Sequence, residues 1–302
     1  MPERDLQPED LDGLRLPGVS LAVLGFPVRH SISPALHNAA LGEMAAADPG
    51  FSDWLYHRVE VEADRLPEVL PKLREAGFRG LNLTIPHKVH ALELVSEVDP
   101  VARLIGAVNT LLATDDGWSG FNTDGYGLEQ SLREELDAEL TGATVILLGA
   151  GGAARAAASQ ALLRECSELW IGNRSHDRLD SLVASLPEQP GSSRVRSFLF
   201  SDPPADLPTE GAVIVNATSL GLRPEDPAPI DLSAFSPDCK VMDMIYNPPE
   251  TLLLRRARAL GMPAANGLAM LVHQAACSLS IWSGAQVPEA AMFSAARSAL
   301  PL

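Results

Sequence analysis

Residues 144–154 read TVILLGAGGAA, an apolar segment that runs directly into a glycine-rich turn. The β-branched and leucine residues predict a strand over Thr144–Leu148, and the alanine-rich stretch 152–165 predicts a helix. The turn has the GxGxxA spacing, in which glycines let backbone N–H groups approach a pyrophosphate at the helix N-terminus. No Gly-Lys-Ser/Thr sequence follows, so a P-loop is excluded. The segment therefore predicts a dinucleotide-binding βα unit.

Apolar runs alternate with helical patterns on both sides of this unit. The runs predict strands at 20–25, 55–61, 80–83, 108–112, 144–148, 169–172, 213–216 and 240–244. The helical patterns cover 34–46, 63–76, 152–165, 175–185, 250–260, 267–282 and 288–299. Most runs are apolar throughout, as in strands covered on both faces, so we predict an α/β fold with mainly parallel sheets. The stretches 1–17, 203–208 and 223–237 are predicted loops, the first of them an N-terminal tail.

Length, charge and cysteine content exclude several classes of protein. The 302 residues are enough for two domains at about 150 residues each. The 23 basic and 39 acidic side chains give a net charge of −16, which disfavours nucleic acid and membrane surfaces as partners. Cys166, Cys239 and Cys277 form no CxxC pair, and no apolar run approaches about 18 residues. We expect a cytoplasmic protein with a small-molecule ligand, either a monomer or a homodimer.

The strand after the glycine turn is expected to contact the adenosine ribose of the dinucleotide. An NAD-binding protein usually has an acidic residue there, but this chain has Asn173. Arg174, Ser175 and Arg178 follow closely, and they can bind a 2′-phosphate through charge-assisted hydrogen bonds. We therefore predict NADP. The alternative is that the two arginines form only a solvated helix face, with Asp177 paired to one of them.

Polar residues near the N-terminus indicate a site for an anion. Ser31 and Ser33 precede a predicted helix whose first residue is Pro34, so two hydroxyls lie where a helix N-terminus can hold a carboxylate. The alternative is that Ser33 is only the N-cap.

Three further segments place polar groups at strand ends: NLTIPHK (82–88), GAVNT (106–110) and GFNTDGYG (120–127). Lys88 is predicted in the first turn of a helix, where the helix dipole disfavours a cation, so an incidental lysine is not expected there. Singly, each polar residue can be a turn or cap residue. Together the segments offer a proton donor, a carboxylate, amides and hydroxyls, which suit a small polyhydroxylated acid. The apolar 267–282 helix also carries His273 and Gln274, which can alternatively bond to nearby backbone.

Nine motifs in the chain follow one another in a recognisable order. They are GFPVRHSISPALHN (25–38), NLTIPHK (82–88), GAVNT (106–110), NTDGYG (122–127), GAGGAAR (149–155), NRSHDR (173–178), NATSLGL (216–222), DMIYNP (243–248) and NGLAMLVHQAA (266–276). This combination resembles the NADP-dependent shikimate dehydrogenase family from about Val19 to the C-terminus. Two departures are Ala269, where the family usually has a glycine, and His273.

The resemblance implies an α/β substrate-binding domain at 18–124 and 267–302, with the C-terminal helices returning to it. A Rossmann-like NADP-binding domain would occupy 125–266, and the active site would lie in the cleft. The implied catalytic pair is Lys88 and Asp124. The implied substrate-binding residues are Ser31, Ser33, Asn82, Thr84, Asn109, Tyr246 and Gln274. The implied cofactor-binding residues are Gly149, Ala150, Gly151, Gly152, Ala153, Asn173, Arg174, Ser175, Arg178, Met244 and Gly267.

The implied reaction is the reversible NADPH-dependent reduction of 3-dehydroshikimate to shikimate in aromatic amino acid biosynthesis. The Lys88 ammonium would stabilise and protonate the oxygen that receives negative charge, and Asp124 would orient it. No metal is expected, because the histidines form no ligand cluster. Two alternatives stay open. One is a quinate/shikimate dehydrogenase that uses NAD, and the other is a catalytically silent regulator that binds NADP or shikimate.

Overall fold

The computed structural model describes residues 5–186 and 193–300 of the chain. These residues form two compact units, one within Met1–Thr123 and Val272–Leu302 and the other within Asp124–Leu271. The first four residues of the predicted N-terminal tail lie outside the described part. No helix in the described ranges is both long enough and apolar enough to cross a membrane.

The first unit contains a seven-stranded mixed sheet. Its strands are β1 (Asp5–Leu6), β2 (Val19–Gly25), β3 (Trp54–Glu60), β4 (Phe78–Leu83), β5 (Glu97–Val98), β6 (Thr110–Thr114) and β7 (Gly117–Phe121). They are arranged in the order β1-β3-β2-β4-β6-β7-β5. The pairs β1/β3, β3/β2 and β2/β4 are parallel, whereas β4/β6 and β6/β7 are antiparallel. The pair β5/β7 is parallel again, so four of the six pairs are parallel, and the prediction of mainly parallel strands is confirmed except where the β6/β7 hairpin extends the sheet.

Six helices belong wholly or mostly to this unit. They are α1 (Ser33–Ala47), α2 (Leu66–Glu75), α3 (His87–His90), α4 (Pro100–Ile105), α9 (Leu268–Ser283) and α10 (Glu289–Ala299). Helix α9 is fixed against the sheet by Trp282, whose indole N–H donates to the Leu111 carbonyl at 2.8 Å. A Cβ on Gly80 of β4 would lie 2.4 Å from that indole nitrogen, so β4 needs a glycine there. The predicted return of the C-terminal helices to the N-terminal unit is confirmed.

The second unit contains a six-stranded sheet in which all strands are parallel. Its strands are β8 (Thr144–Leu148), β9 (Glu168–Asn173), β10 (Arg194–Leu199), β11 (Val213–Asn216), β12 (Lys240–Asp243) and β13 (Ala264–Ala265), and its helices are α5 (Asp124–Leu136), α6 (Gly152–Leu163), α7 (His176–Ala184) and α8 (Leu252–Ala259). The strand order is β10-β9-β8-β11-β12-β13, so the chain reverses direction across the sheet between β8 and β11. This is the order of a dinucleotide-binding Rossmann fold, and the reversal is the point where such sheets bind ligands.

The apolar run of β8 is explained by burial on both faces. Val145 and Leu147 belong to one core cluster, and Ile146 and Leu148 belong to the cluster on the other face. Neither face of the strand meets solvent, so strict alternation of polar and apolar residues is absent. The two-domain α/β prediction is confirmed.

The prediction that the first 17 residues form only a loop or tail is wrong for part of that segment. Asp5–Leu6 forms β1, and Pro8–Leu11 forms a 3₁₀ turn. Leu6 and Leu11 are 4% and 2% exposed in the core of the first unit. Two buried leucines are enough to hold the segment against the sheet, but they are too few to produce a periodic pattern.

Candidate active site

The carboxyl ends of the second unit's parallel strands lie at one edge of its sheet. Gly149 follows β8, Asn173 ends β9, Ala217 follows β11 and Met244 follows β12. This edge includes the reversal point between β8 and β11. The structure therefore gathers the predicted pyrophosphate, ribose and nicotinamide residues along one edge of this sheet.

The glycine turn has two different steric requirements. Gly149 has φ of +121°, and its N–H donates to the Gly172 carbonyl at 2.7 Å. A Cβ on Gly149 would lie 2.8 Å from the Ala217 carbonyl oxygen, so the fold itself requires a glycine. At Gly151, the N-cap of α6, and at Gly152, a Cβ would meet no atom within 4 Å. The open space in front of α6 fits a phosphate, which helix N-termini favour.

The end of β9 presents the predicted 2′-phosphate site. Asn173 is 7% exposed and donates from Nδ2 to the Ser175 carbonyl at 3.3 Å. Ser175 caps α7 and accepts from the Arg178 backbone N–H at 3.5 Å. The guanidinium groups of Arg174 and Arg178 are on exposed residues, and within the described chain neither forms an ion pair, with Asp177 or otherwise. Both are therefore available to an anion.

A buried network next to this edge was not predicted from the sequence. Asp243 at the end of β12 is fully buried, and its carboxylate accepts from Asn216 Nδ2 at 3.0 Å and Thr251 Oγ1 at 2.7 Å. The Ile245 N–H also donates to it, at 3.0 Å. Burial raises the pKa of Asp243 above its usual range, against the lowering effect of these donors. The network joins the ends of β11 and β12 and thereby shapes the loop that carries Met244.

Met244 and Gly267, both predicted near the nicotinamide, lie against each other. A Cβ on Gly267 would lie 2.1 Å from the Met244 carbonyl oxygen. The Gly267 N–H donates to the Ile245 carbonyl at 3.1 Å, which fixes this close approach. Tyr246 follows in the same segment; it is half-buried, and burial raises the pKa of its phenol.

Asp124, the predicted partner of Lys88, is the first residue of α5 in the second unit and is 6% exposed. The next residue, Gly125, has room only for hydrogen, because a Cβ would lie 2.5 Å from Gln160 Oε1 on α6. Gln160 Nε2 donates to Glu129 Oε2 of α5 at 2.8 Å. The start of α5 is therefore packed closely on the helix that begins at the glycine turn.

The two serines predicted to hold a carboxylate lie together in the first unit. Ser31 Oγ and Ser33 Oγ are 3.1 Å apart, and the Ser33 N–H donates to Ser31 Oγ at 3.3 Å. Ser33 is not the N-cap of α1: Ile32 holds that position, and Ser33 begins the helix without a side-chain cap. Its hydroxyl bonds to Ser31 instead, so the alternative role as a simple cap is wrong. Arg58 on β3 donates to the Ser31 carbonyl at 2.9 and 3.0 Å, a contact that no local pattern predicts.

Lys88 is half-buried within α3, which has only one turn. The expected effect of a helix dipole on Lys88 is wrong, because a helix of four residues aligns too few peptide dipoles. The Lys88 carbonyl accepts from the Val108 N–H at 2.8 Å, which ties this turn to the segment before β6. Thr84 is also half-buried, and a Cβ on Gly25 would lie 2.4 Å from its methyl group. The absence of a side chain at Gly25 therefore leaves the space that the Thr84 methyl group occupies.

Three predicted hydroxyl-binding residues of the first unit belong to one hydrogen-bond network. Asn109 Nδ2 donates to Gln274 Oε1 at 3.3 Å and to Thr123 Oγ1 at 2.9 Å. Asn82 Nδ2 donates to the Asn109 carbonyl at 3.2 Å. Asn82 and Asn109 are 7% and 1% exposed, whereas Gln274 is half-buried. The structure thus brings these three residues together, with Gln274 on the more accessible side.

Comparison with known proteins decides the family. The sequence profile of the shikimate dehydrogenase substrate binding domain matches residues 23–111, and that of the shikimate 5′-dehydrogenase C-terminal domain matches 267–297. Shikimate dehydrogenase (NADP(+)) of Symbiobacterium thermophilum is 38% identical to this chain, over 95% of the chain and 96% of the relative. The chain belongs to the NADP-dependent shikimate dehydrogenase family. The resemblance inferred from the nine motifs is confirmed, and the chain is an oxidoreductase of this family.

Two solved structures share the fold of this shikimate dehydrogenase family member. Shikimate 5-dehydrogenase of Thermus thermophilus, in complex with NADP(H) and shikimate, has a TM-score of 0.79 and 34% identity, covering 93% of this chain and 100% of that one. The ligand-free 5-ketofructose reductase of a Gluconobacter strain has a TM-score of 0.82 and 29% identity, covering 93% and 98%. The fold is therefore shared by enzymes named for different polyhydroxylated substrates.

The shikimate dehydrogenase fold also contains polar residues that the motif reasoning did not single out. In the first unit they are Tyr56, Arg58, Thr110, Thr123 and Ser278, and in the second unit Asn216, Thr218, Asp243 and Thr251. Five of these residues lie within quoted motifs, so a signal was present without an assigned role: Thr110, Thr123, Asn216, Thr218 and Asp243. Within residues 5–186 and 193–300, no group of three or more His, Cys, Asp or Glu side chains could hold a metal ion.

Proposed function

We propose that this member of the family reversibly reduces 3-dehydroshikimate to shikimate with NADPH. The observation that supports this most directly is the 38% identity to shikimate dehydrogenase (NADP(+)) over 95% of the chain. The chain's polar residues fit the reaction, because the first unit presents hydroxyls, amides and an amine suited to a polyhydroxylated acid. The second unit presents an open glycine turn and two exposed arginines.

The cofactor would bind along the strand ends of the second unit. The backbone at Gly149, Ala150, Gly151, Gly152 and Ala153 would bind the pyrophosphate, and Asn173, Arg174, Ser175 and Arg178 would bind the ribose and its 2′-phosphate. Arg174 and Arg178 are exposed, and an arginine fork matches phosphate geometry. Met244 and Gly267 would line the nicotinamide position. NADPH supplies the hydride when it is bound.

The substrate would be oriented by side chains that the fold already holds in place. Ser31 and Ser33 would bind the carboxylate, with Tyr246 assisting. The residues that would bind ring hydroxyls are Asn82, Thr84, Asn109 and Gln274. The Ser31–Ser33 contact and the backing of Ser31 by Arg58 support the carboxylate site. The network that links Asn109 to Gln274 supports the hydroxyl site.

Lys88 and Asp124 would act as the acid–base pair. Reduction of a ketone leaves negative charge on its oxygen, and the Lys88 ammonium would stabilise that charge and donate a proton to the oxygen. The Asp124 carboxylate would accept a hydrogen bond from the amine and from the adjacent ring hydroxyl. In the reverse direction the neutral Lys88 amine would remove the hydroxyl proton.

The remaining parts of the proposal concern location and assembly. Cys166 and Cys239 are buried and Cys277 is half-buried, and all three are free thiols. Burial raises the pKa of each thiol, so each is expected to stay protonated and unreactive. These thiols fit a cytoplasmic enzyme. We propose that the enzyme is either a monomer or a homodimer.

A panel of initial rates tests the proposed activity. Purified enzyme would be assayed with NADP and with NAD, each against shikimate, quinate and D-fructose, the last because of the 5-ketofructose reductase neighbour. We expect kcat/KM to be highest for NADP with shikimate, by at least about tenfold. A preference for quinate with NAD, or for fructose, would reassign the substrate. No turnover with any pair, despite tight NADP or shikimate binding, would support the silent regulator.

A further inference from the structure

The polar network of the first unit is centred on Ser278 of α9, which is fully buried. Its hydroxyl lies 3.0 Å from Asn82 Nδ2, 2.7 Å from Thr110 Oγ1 and 3.2 Å from Thr123 Oγ1. Its oxygen is also 2.9 Å from the Gln274 carbonyl oxygen one turn earlier in α9, so the single Ser278 proton is shared between that carbonyl and Thr110 Oγ1. One hydroxyl thus connects the helix that carries Gln274 to the ends of the strands β4, β6 and β7.

The orientation of the Asn82 amide is fixed from its other side. The Tyr56 hydroxyl, on a side chain that is fully buried, donates to Asn82 Oδ1 at 2.7 Å. A phenol donates strongly to a carbonyl oxygen, so Asn82 Nδ2 must face away from Tyr56. Its two hydrogens then meet Ser278 Oγ at 3.0 Å, Thr110 Oγ1 at 3.2 Å and the Asn109 carbonyl. Both Asn82 donors are therefore used inside the protein.

The same network determines which ends of Asn109 and Gln274 are held. Thr110 Oγ1 donates to Asn109 Oδ1 at 2.9 Å, and the Thr123 N–H donates to the same oxygen at 2.8 Å. Asn109 Nδ2 then faces Gln274 Oε1 at 3.3 Å. Because Gln274 accepts through Oε1, its Nε2 hydrogens point away from Asn109. The network therefore selects one of the two amide orientations of Gln274.

We propose that Ser278, together with Asn82 and Tyr56, is a positioning hub that acts through Asn109 to orient Gln274 toward the ring hydroxyls of the substrate. The hydrogens of Asn82 and Asn109 are both directed at other members of the network, and the half-buried Gln274 amide is the most exposed group that the hub orients. This inference rests on the proposed function for the identity of the substrate. The arrangement of the hub itself can be tested without any substrate.

The first experiment compares two buried serines. Ser278→Ala removes the hub hydroxyl, whereas Ser159→Ala removes a fully buried hydroxyl on α6 that has no hydrogen-bond partner among the described residues. A buried hydrogen bond contributes about 0.5–1.5 kcal/mol net, equivalent to roughly 2- to 13-fold. We expect Ser278→Ala to lower kcat/KM for shikimate about 3- to 10-fold with an unchanged KM for NADP, and Ser159→Ala to change neither. Equal losses toward shikimate and NADP would show a general structural defect and overturn the hub.

A double-mutant cycle separates positioning from loss of stability. In a Gln274→Ala background, Ser278→Ala should cost at most about twofold, because the amide that it orients is already gone. In an Arg174→Ala background it should keep its full effect, since the arginine lies in the other unit. Equal effects of Ser278→Ala in both backgrounds would overturn the role assigned to it.

A substrate-free measurement distinguishes failure of the hub from failure of the proposed function. In protein labelled with ¹⁵N-asparagine, the side-chain amide signals of Asn82 can be assigned by their loss in Asn82→Asp. We expect slow hydrogen exchange for these protons in the wild type and in Ser159→Ala, and exchange at least about tenfold faster in Ser278→Ala and Tyr56→Phe. Unchanged exchange in Ser278→Ala would overturn the hub even if shikimate is turned over. A wild type inactive on shikimate but showing this exchange pattern would overturn only the proposed substrate.

Discussion

The two units present their functional groups in different ways. In the first unit the polar side chains bond to one another in the interior, and Asn82, Asn109 and Ser278 are at most 7% exposed. In the second unit the carboxyl ends of the strands form one edge of the sheet, here called the nucleotide edge. This edge offers open space at Gly151 and an exposed guanidinium at Arg174. The first unit holds its polar side chains in a hydrogen-bonded network, whereas the second presents backbone N–H groups and an exposed charge.

This difference matches what each unit would have to recognise. Discriminating one ring hydroxyl from another requires donors and acceptors with a fixed direction, and side chains ordered during folding lose little further entropy on binding. A pyrophosphate is bound by charge and by backbone N–H groups, so a close approach matters more than side-chain orientation. Substitutions in the polar network of the first unit should therefore act on turnover and substrate, and substitutions at the glycine turn and the arginines of the second unit should act on cofactor binding or folding.

The largest effect is expected at Lys88. Lys88→Ala should lower kcat by about 10²- to 10⁴-fold with little change in KM for shikimate, because general acid–base groups typically contribute that much. Steady-state rates with saturating NADP would measure it. Lys72→Ala is the matched control, since Lys72 is an ion-paired lysine of the same unit, 2.8 Å from Glu68 and 2.9 Å from Asp12. Turnover near the wild-type value in Lys88→Ala would remove this amine from the chemistry.

Two glycine substitutions in the second unit should separate an effect on the stability of the apoprotein from an effect on its affinity for NADP. Gly149→Ala places a Cβ 2.8 Å from the Ala217 carbonyl at a φ of +121°, and strain of this kind costs on the order of 1–3 kcal/mol. Gly151→Ala meets open space, so the apoprotein should keep its stability while its affinity for NADP falls. Urea unfolding of the apoproteins and NADP titration measure the two effects. Equal stability losses would contradict the assignment of different roles to these glycines.

Sequence patterns predicted the second unit more completely than the first. Its strands β8, β9, β11 and β12 are mostly buried, so runs such as Thr144–Leu148 show where they lie. The edge strand β10 is largely exposed and was not predicted. Helix α5 was not predicted, because Gly125 and Gly127 lower the helix propensity of this segment. The structure shows that Gly125 is needed for the contact with Gln160, so tertiary packing overrides propensity there. Strand β7, with Gly117 and Gly120, was missed for a similar reason.

The motifs located candidate site residues, but they did not show how these residues are held. Arg58 lies on a predicted strand, yet its bond to the Ser31 carbonyl depends on the fold around β3. Ser278 meets Asn82 only after α9 has packed on the sheet, across 196 positions of sequence. Such contacts depend on long-range register, which has no local periodic signal. Sequence reasoning therefore found groups suited to the chemistry and missed the residues that orient them.

A smaller effect than those at Lys88 and Gly149 is expected at Arg174, which is exposed at the nucleotide edge. Charge-assisted hydrogen bonds contribute about 1.5–3 kcal/mol, so Arg174→Ala should weaken NADPH binding roughly 10- to 100-fold and leave NADH binding nearly unchanged. Fluorescence titration with both nucleotides provides the measurement. Arg255→Ala removes an exposed charge from α8 of the same unit and controls for net charge. An equal loss for NADPH and NADH would contradict the 2′-phosphate assignment.

The smallest effect is a pH dependence of stability that arises in the first unit. His37 of α1 is fully buried, donates through Nδ1 to the Ser33 carbonyl at 2.9 Å and stacks on Tyr56 with ring centroids 4.0 Å apart. Burial lowers the pKa of His37 to about 4 from 6.5, because desolvation disfavours the charged ring. The unfolded chain therefore binds the proton more readily than the folded one between these two pH values.

The sign of this linkage can be measured by urea unfolding. Stability due to the neutral ring is complete above pH 6.5 and is lost as pH falls toward 4, so lowering the pH from 7 to 5.5 should cost about 1 kcal/mol through His37. His37→Phe keeps a ring that can stack on Tyr56 but cannot titrate. We expect the variant to lose less stability over this interval by about that amount, while other groups contribute equally to both proteins. Identical losses would mean that His37 gains its proton without unfolding, and the buried packing behind Tyr56 and the hub would then be looser than the structure shows.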